Sequence, residues 1–125
     1  MQTQAKDFFD QHLEYLASGD LEGMVNNTYS ENAILYNAFP IYGNLPPWNV
    51  VRGRQQILTL FNDYMSFQGA INVERLYNYI EGDKAISFQA IINSPNSGRW
   101  AAGDIWLMND DFTQIERHYG FANKL

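Results

Sequence analysis

"GAINVERLYNYIEGDKAISFQAIINS", residues 69–94, is where the texture of the chain changes. Before Gly69, apolar residues recur every three or four positions; after it they alternate with polar ones, the period of a half-buried strand. The alternation persists beyond this stretch, predicting strands at about 70–81, 84–93, 98–109 and 112–121. "EGDK", "NSPNSG" and "NDDF" separate them as turns.

Working back from Gly69, Ile57, Leu60, Phe61, Tyr64 and Met65 fall at helical spacing. A loop rich in Pro, Gly and Asn, "PIYGNLPPWNVVRG" (40–53), precedes that helix. "ENAILYNAFP" (31–40) reads as a strand whose apolar run is interrupted by Asn37. A buried amide needs hydrogen-bond partners, or its burial costs roughly 1–3 kcal/mol. At the start of the chain, Ala5, Phe8, Phe9, His12, Leu13 and Leu16 share one helical face. Gly19 suits the left-handed residue that ends that helix. Asp20 then caps a second short helix carrying Leu21, Met24, Val25 and Tyr29. Three helices followed by a meander of strands is an α+β pattern, with the helices packed on one face of an antiparallel sheet.

The 125 residues suit one domain spanning 1–125, long enough to bury a single core. The chain is 46% hydrophobic and 15% aromatic, which suits a packed core or an apolar pocket. Net charge is −6 and the eight Lys and Arg do not cluster, which argues against nucleic acid and anionic membranes as partners. Without cysteine there is no disulfide, thiolate catalysis or zinc–cysteine site. No apolar signal core or membrane-length run is present, so the expected location is cytoplasmic. The Asn-x-Thr sequon at Asn26 reads as coincidental in that setting.

The order of helix, "GDLEGMV", "YSENAIL", loop, "GRQQI" and long strands resembles the nuclear transport factor 2-like superfamily, nearest to its SnoaL-like and ketosteroid-isomerase-like members. The resemblance runs from about Phe8 to Phe121. It implies a cone-shaped curved antiparallel sheet wrapped around three helices, with a deep and mostly apolar pocket. It also implies a homodimer through the sheet, with Tyr77, Tyr79, Trp100 and Trp106 among the aromatic residues on its two faces.

Against the steroid isomerases, the oxyanion-hole tyrosine corresponds to His12 and a supporting tyrosine to Tyr29. A third tyrosine of that network corresponds to Phe61, the catalytic aspartate to Asn37, and the protonated aspartate to Trp106. Steroid isomerisation by that mechanism is therefore not expected, because an amide cannot shuttle a proton near neutral pH. An Asn37→Asp change would restore a titratable group at that position.

The resemblance points the Asp104 face of "AAGDIWLMND" into the cone, together with Trp106 and Met108. The alternative is a salt bridge from Asp104 to Arg99, Arg117 or Arg75, and a bulge at Gly103 would reverse the parity. In "QIERHYGF", strict alternation sets Ile115, Arg117 and Tyr119 against Glu116 and His118, and the resemblance turns His118 toward the pocket. His12 is either a core histidine or a pocket acid/base. These residues would converge with Asn37 on a cavity walled by Phe39, Phe61 and Trp106, with Trp48 as a lid or a loop anchor.

Two histidines and a carboxylate could form a facial triad, but no short metal motif accompanies them, and neither metal nor cofactor is expected. The resulting expectation is a SnoaL-like pocket protein, an isomerase, cyclase or hydratase acting on a small apolar carbonyl compound. Asp104, His118 and His12 would be the catalytic set, with Asn37, Tyr29, Phe39, Trp48, Phe61 and Trp106 contacting ligand. The alternative is a non-catalytic binder of the same fold that has lost its base.

Overall fold

The computed structural model describes residues 2–39 and 48–125. Most of the loop expected at 40–53 lies outside these residues. Helix α1 spans Gln4–Ser18, capped by the Thr3 hydroxyl, which accepts from the Lys6 amide at 3.1 Å. It ends at Gly19, whose φ of 76° is the left-handed conformation that glycine adopts without strain. Asp20 caps α2 (Leu21–Thr28) by accepting from the Gly23 amide at 2.9 Å. Helix α3 covers Gly53–Gln68.

The strands are β1 (Tyr29–Ala38), β2 (Asn49–Arg52), β3 (Asn72–Glu81), β4 (Ala85–Ser94), β5 (Gly98–Met108) and β6 (Ile115–Lys124). Two differ from the sequence reading. Tyr29 begins β1 instead of closing α2, and β2 is a strand within the stretch read as loop. The four residues of β2 carry too little alternation to be seen without their partner.

The strands form one curved, unclosed sheet in the order β2-β1-β6-β5-β4-β3. Neighbours are antiparallel except β1 and β6, which run parallel. Chain order explains the exception: β6 returns between β1 and β5, so it opposes β5 and follows β1.

The concave face buries Ile86 and Phe88 of β4, Trp106 and Met108 of β5, and Leu35 of β1 against Phe8, Phe9, Met24, Val25, Ile57 and Leu60 of the helices. At roughly 1.5–3 kcal/mol per buried large apolar side chain, this core is the principal stabilising element.

Bulges re-aim side chains at two places. In β3 the pairing with β4 shifts between Val73 and Arg75 and again between Tyr77 and Ile80. Each extra residue resets the alternation, so Val73 and Leu76, though exposed, both border the same cavity, and Tyr79 packs on Phe9 at 4.8 Å between ring centroids. In β6 the pairing with β5 steps from Leu107–Arg117 to Met108–Ile115, leaving Glu116 unpaired. Ile115 and His118 are therefore both buried, where strict alternation sets them on opposite faces. The pairing through Gly103 is continuous on both sides, so no bulge occurs there.

Candidate functional site

Asp104 and Trp106 project from β5 toward the helices, and His118 projects from β6 opposite Trp106. The diagonal across this strand pair brings His118 Nε2 to 2.6 Å from Asp104 Oδ1. The other ring nitrogen, Nδ1, lies 2.8 Å from the Tyr29 hydroxyl. Burial, reinforced by the charge of Asp104, pushes the Tyr29 phenol well above its usual range, so it stays protonated. The chain Asp104–His118–Tyr29 thus runs from the cavity into the core, and Tyr29 at its closed end is fully buried. Asp104 pairs with this histidine, while Arg99 pairs with Glu74 on the exposed side at 2.6 Å.

The cavity between α1, α3 and the sheet has a volume of about 100 Å³. His12, Asp104, Trp106 and His118 share its wall with apolar side chains that include Phe39, Phe61, Phe88 and Ile92. Leu13, Leu16, Met65, Ile71, Val73 and Leu76 form a collar that also lines an outer vestibule of about 820 Å³. Together the two volumes are in the range of small-molecule sites.

One oxygen of Asp104 is engaged by His118; the other has no hydrogen-bond partner among the described residues and is not sealed from solvent. Gly120 stands opposite Asp104 on β6, and a Cβ there would come within 2.5 Å of the Phe39 ring and 3.1 Å of Asp104 Oδ1. Only glycine lets the ring and the carboxylate close over this point.

His12 joins the same wall from α1, its Nδ1 3.1 Å from the Thr28 hydroxyl. Burial, then the neighbouring His118, lowers its pKa from 6.5 to about 3. Tyr64 is marked by its spacing only as part of the apolar face of α3. It lines the cavity with a hydroxyl that bonds to no described residue. Burial, and secondarily Asp104, raises its pKa above the usual value, so the phenol remains a donor. A tyrosine on an otherwise aliphatic helical stripe was the available signal, since a buried phenol needs a partner.

The remaining residues proposed from sequence are placed differently. Asn37 is 2% exposed but is not among the residues lining the cavity. Its Oδ1 accepts from the Phe39 amide at 3.2 Å; its Nδ2 donates to the Phe39 carbonyl at 3.2 Å and to Asn49 Oδ1 at 3.4 Å. The amide holds the end of β1 and thereby aims Phe39. Tyr29 reaches His118 and not the cavity. Trp48 is 67% exposed and lies away from the cavity wall. Among the described residues no three His, Asp or Glu side chains gather as a metal-binding group.

This architecture recurs among solved structures. IdmH from Streptomyces antibioticus, a candidate polyketide cyclase, matches 97% of this chain and 93% of its own with a TM-score of 0.74 at 15% identity. An NTF2-like protein from Anabaena variabilis matches 100% of this chain and 96% of its own, with a TM-score of 0.77 at 14% identity. A candidate isomerase of the SnoaL-like family from Agrobacterium tumefaciens matches 98% of this chain and 100% of its own, with a TM-score of 0.71 at 15% identity. At such identities the likeness establishes the fold, and it is the fold that the sequence resemblance implies. No family model matches the sequence, and no curated protein matches it either.

Proposed function

We propose that the protein is a cofactor-independent acid/base enzyme, of the isomerase or cyclase kind, acting on a small apolar molecule that carries a carbonyl group. The observation that carries this reading is Asp104, with one carboxylate oxygen held by His118 and the other open to an apolar cavity. A carboxylate fixed in this way is oriented to take a proton from a carbon next to a carbonyl. The electron pair left by that proton moves to the carbonyl oxygen, and the protonated Tyr64 hydroxyl is a suitable donor to the resulting enolate. Returning the proton from Asp104 to a different carbon isomerises the molecule; attack of the enolate carbon on a second carbonyl cyclises it, the π pair of that carbonyl moving to its oxygen, which takes the proton back from Asp104. Two of the structural neighbours are themselves described as a candidate polyketide cyclase and a candidate isomerase, names in keeping with this reading, while the likeness itself concerns the fold.

The test is deuterium exchange at the α-carbon of 2-tetralone in D₂O, followed by proton NMR. The wild type should accelerate exchange and Asp104→Asn should lose at least 100-fold of that acceleration. Binding of 2-tetralone with no exchange above the Asp104→Asn background would overturn catalysis and leave the non-catalytic binder.

We also propose a homodimer through the sheet. On the face opposite Asp104, Phe121, Ile105 and Leu107 are 50%, 40% and 36% exposed. Tyr36 and Tyr119 stack beside them with their rings 4.7 Å apart and nearly parallel.

A further inference from the structure

The hydrogen-bond sense of His12 follows from its neighbours. Thr28 donates its hydroxyl proton to the Met24 carbonyl at 2.5 Å, one helical turn back. A hydroxyl has one proton, so the contact at 3.1 Å from His12 Nδ1 requires Thr28 to accept and Nδ1 to carry the imidazole proton. Nε2 then holds the lone pair. It bonds to no described residue, yet it is not enclosed, because Trp106 Nε1 is the one side-chain polar atom among the described residues that is both sealed and unpartnered. His12 lines the cavity, so Nε2 opens onto it.

The ring is fixed there. It lies between the walls contributed by Trp106 and Tyr29, at 4.4 Å and 5.9 Å between centroids. Its lowered pKa, about 3, keeps it neutral across the physiological range. A neutral Nε2 without a proton can only accept. A carbonyl oxygen placed against it would set two lone pairs face to face in a cavity with few competing polar groups.

We propose that His12 Nε2 accepts a hydrogen bond from a hydroxyl group of the ligand, so that the cavity favours apolar molecules bearing a phenol, an enol or an alcohol near the reacting carbonyl. This rests on the reading of the cavity as a small-molecule site and adds the functional group it selects. In this arrangement, the ligand's carbonyl lies toward Tyr64, its acidic carbon toward Asp104 and its hydroxyl toward His12.

The test compares phenol, anisole and acetophenone as probes, titrated by NMR into the wild type, His12→Leu and Thr28→Val. Comparing affinity ratios removes the differing hydrophobicity of the probes and any bond that Asp104 makes to phenol. The phenol-to-anisole ratio should fall about 5- to 10-fold in His12→Leu, the loss of one hydrogen bond. Thr28→Val deprives Nδ1 of its acceptor and lets the proton move to Nε2, so acetophenone should gain and phenol lose. In the wild type, the His12 ring nitrogen shifts should report an unprotonated Nε2 that moves with phenol and not with anisole, a readout independent of whether the variants fold. Unchanged ratios in both variants, or a protonated Nε2 in the wild type, would overturn the acceptor role while leaving the cavity reading intact. Failure of all three probes to bind the wild type would overturn both.

Discussion

His118 Nε2 sits 2.6 Å from Asp104 Oδ1, with the histidine itself tied through Nδ1 to the buried Tyr29 hydroxyl. The carboxylate is thus oriented by a side chain that is anchored in the core. Removing the imidazole frees the carboxylate to rotate and leaves the Tyr29 hydroxyl without its partner.

His118→Leu should therefore reduce the turnover of α-deuteration by about 100-fold, with KM little changed, as expected for a misplaced but still present base. His118→Gln, which can donate one N–H to the carboxylate, should recover part of the loss. Steady-state exchange rates for both variants check this, and equal losses in the two would show that the hydrogen bond to Asp104 is not what matters.

His12 makes stability depend on pH in a definite direction. Its pKa is about 3 in the folded protein against 6.5 as an ordinary histidine. Between those values the unfolded chain binds one more proton than the folded one. Stability therefore rises with pH across this interval and is lost on acidification below about 6.5. The slope should approach about 1.4 kcal/mol per pH unit, the weight of one proton. Urea midpoints at pH 7 and pH 5 should show a larger acid loss for wild type than for His12→Leu. An equal loss would mean that His12 protonates inside the fold.

Asn37→Asp should destabilise the protein and add no base to the site. Aspartate keeps an acceptor for the Phe39 amide but loses the donors to the Phe39 carbonyl and to Asn49. It also buries charge beside two oxygens. A cost of about 1–3 kcal/mol is expected. Denaturation curves measure that cost, and a new pH-dependent exchange activity in this variant would show that the position reaches the ligand after all.

The exposed outer face of the sheet should pair two copies. Light scattering at micromolar concentration should give twice the 14.4 kDa chain mass. Phe121→Glu, which places a charge in the middle of that apolar surface, should shift the mass toward the monomer. A monomeric wild type would refute the dimer.

The helical stripes, their caps at Asp20 and Gly19 and the alternating strands after Gly69 were all legible in the sequence, because they follow from local periodicity and capping chemistry. That Asp104 and Trp106 share a face also follows from period two, but the sequence left a bulge at Gly103 open, and their inward direction was implied only by the resemblance until the unbroken pairing through Gly103 decided it. Tertiary structure alone decided the rest. The bulge at Glu116 that lets Ile115 and His118 share a face depends on how β6 pairs with β5. The short strand β2 exists only as the partner of β1. Whether Asn37 meets a ligand or its own turn depends on where Phe39 and Asn49 lie, and local sequence does not specify that. The same is true of His12, whose role as an acceptor comes from a threonine sixteen residues away and a carbonyl one turn behind it. Residue identity supplies a side chain's protons and lone pairs; only its three-dimensional neighbours determine which remain free for chemistry.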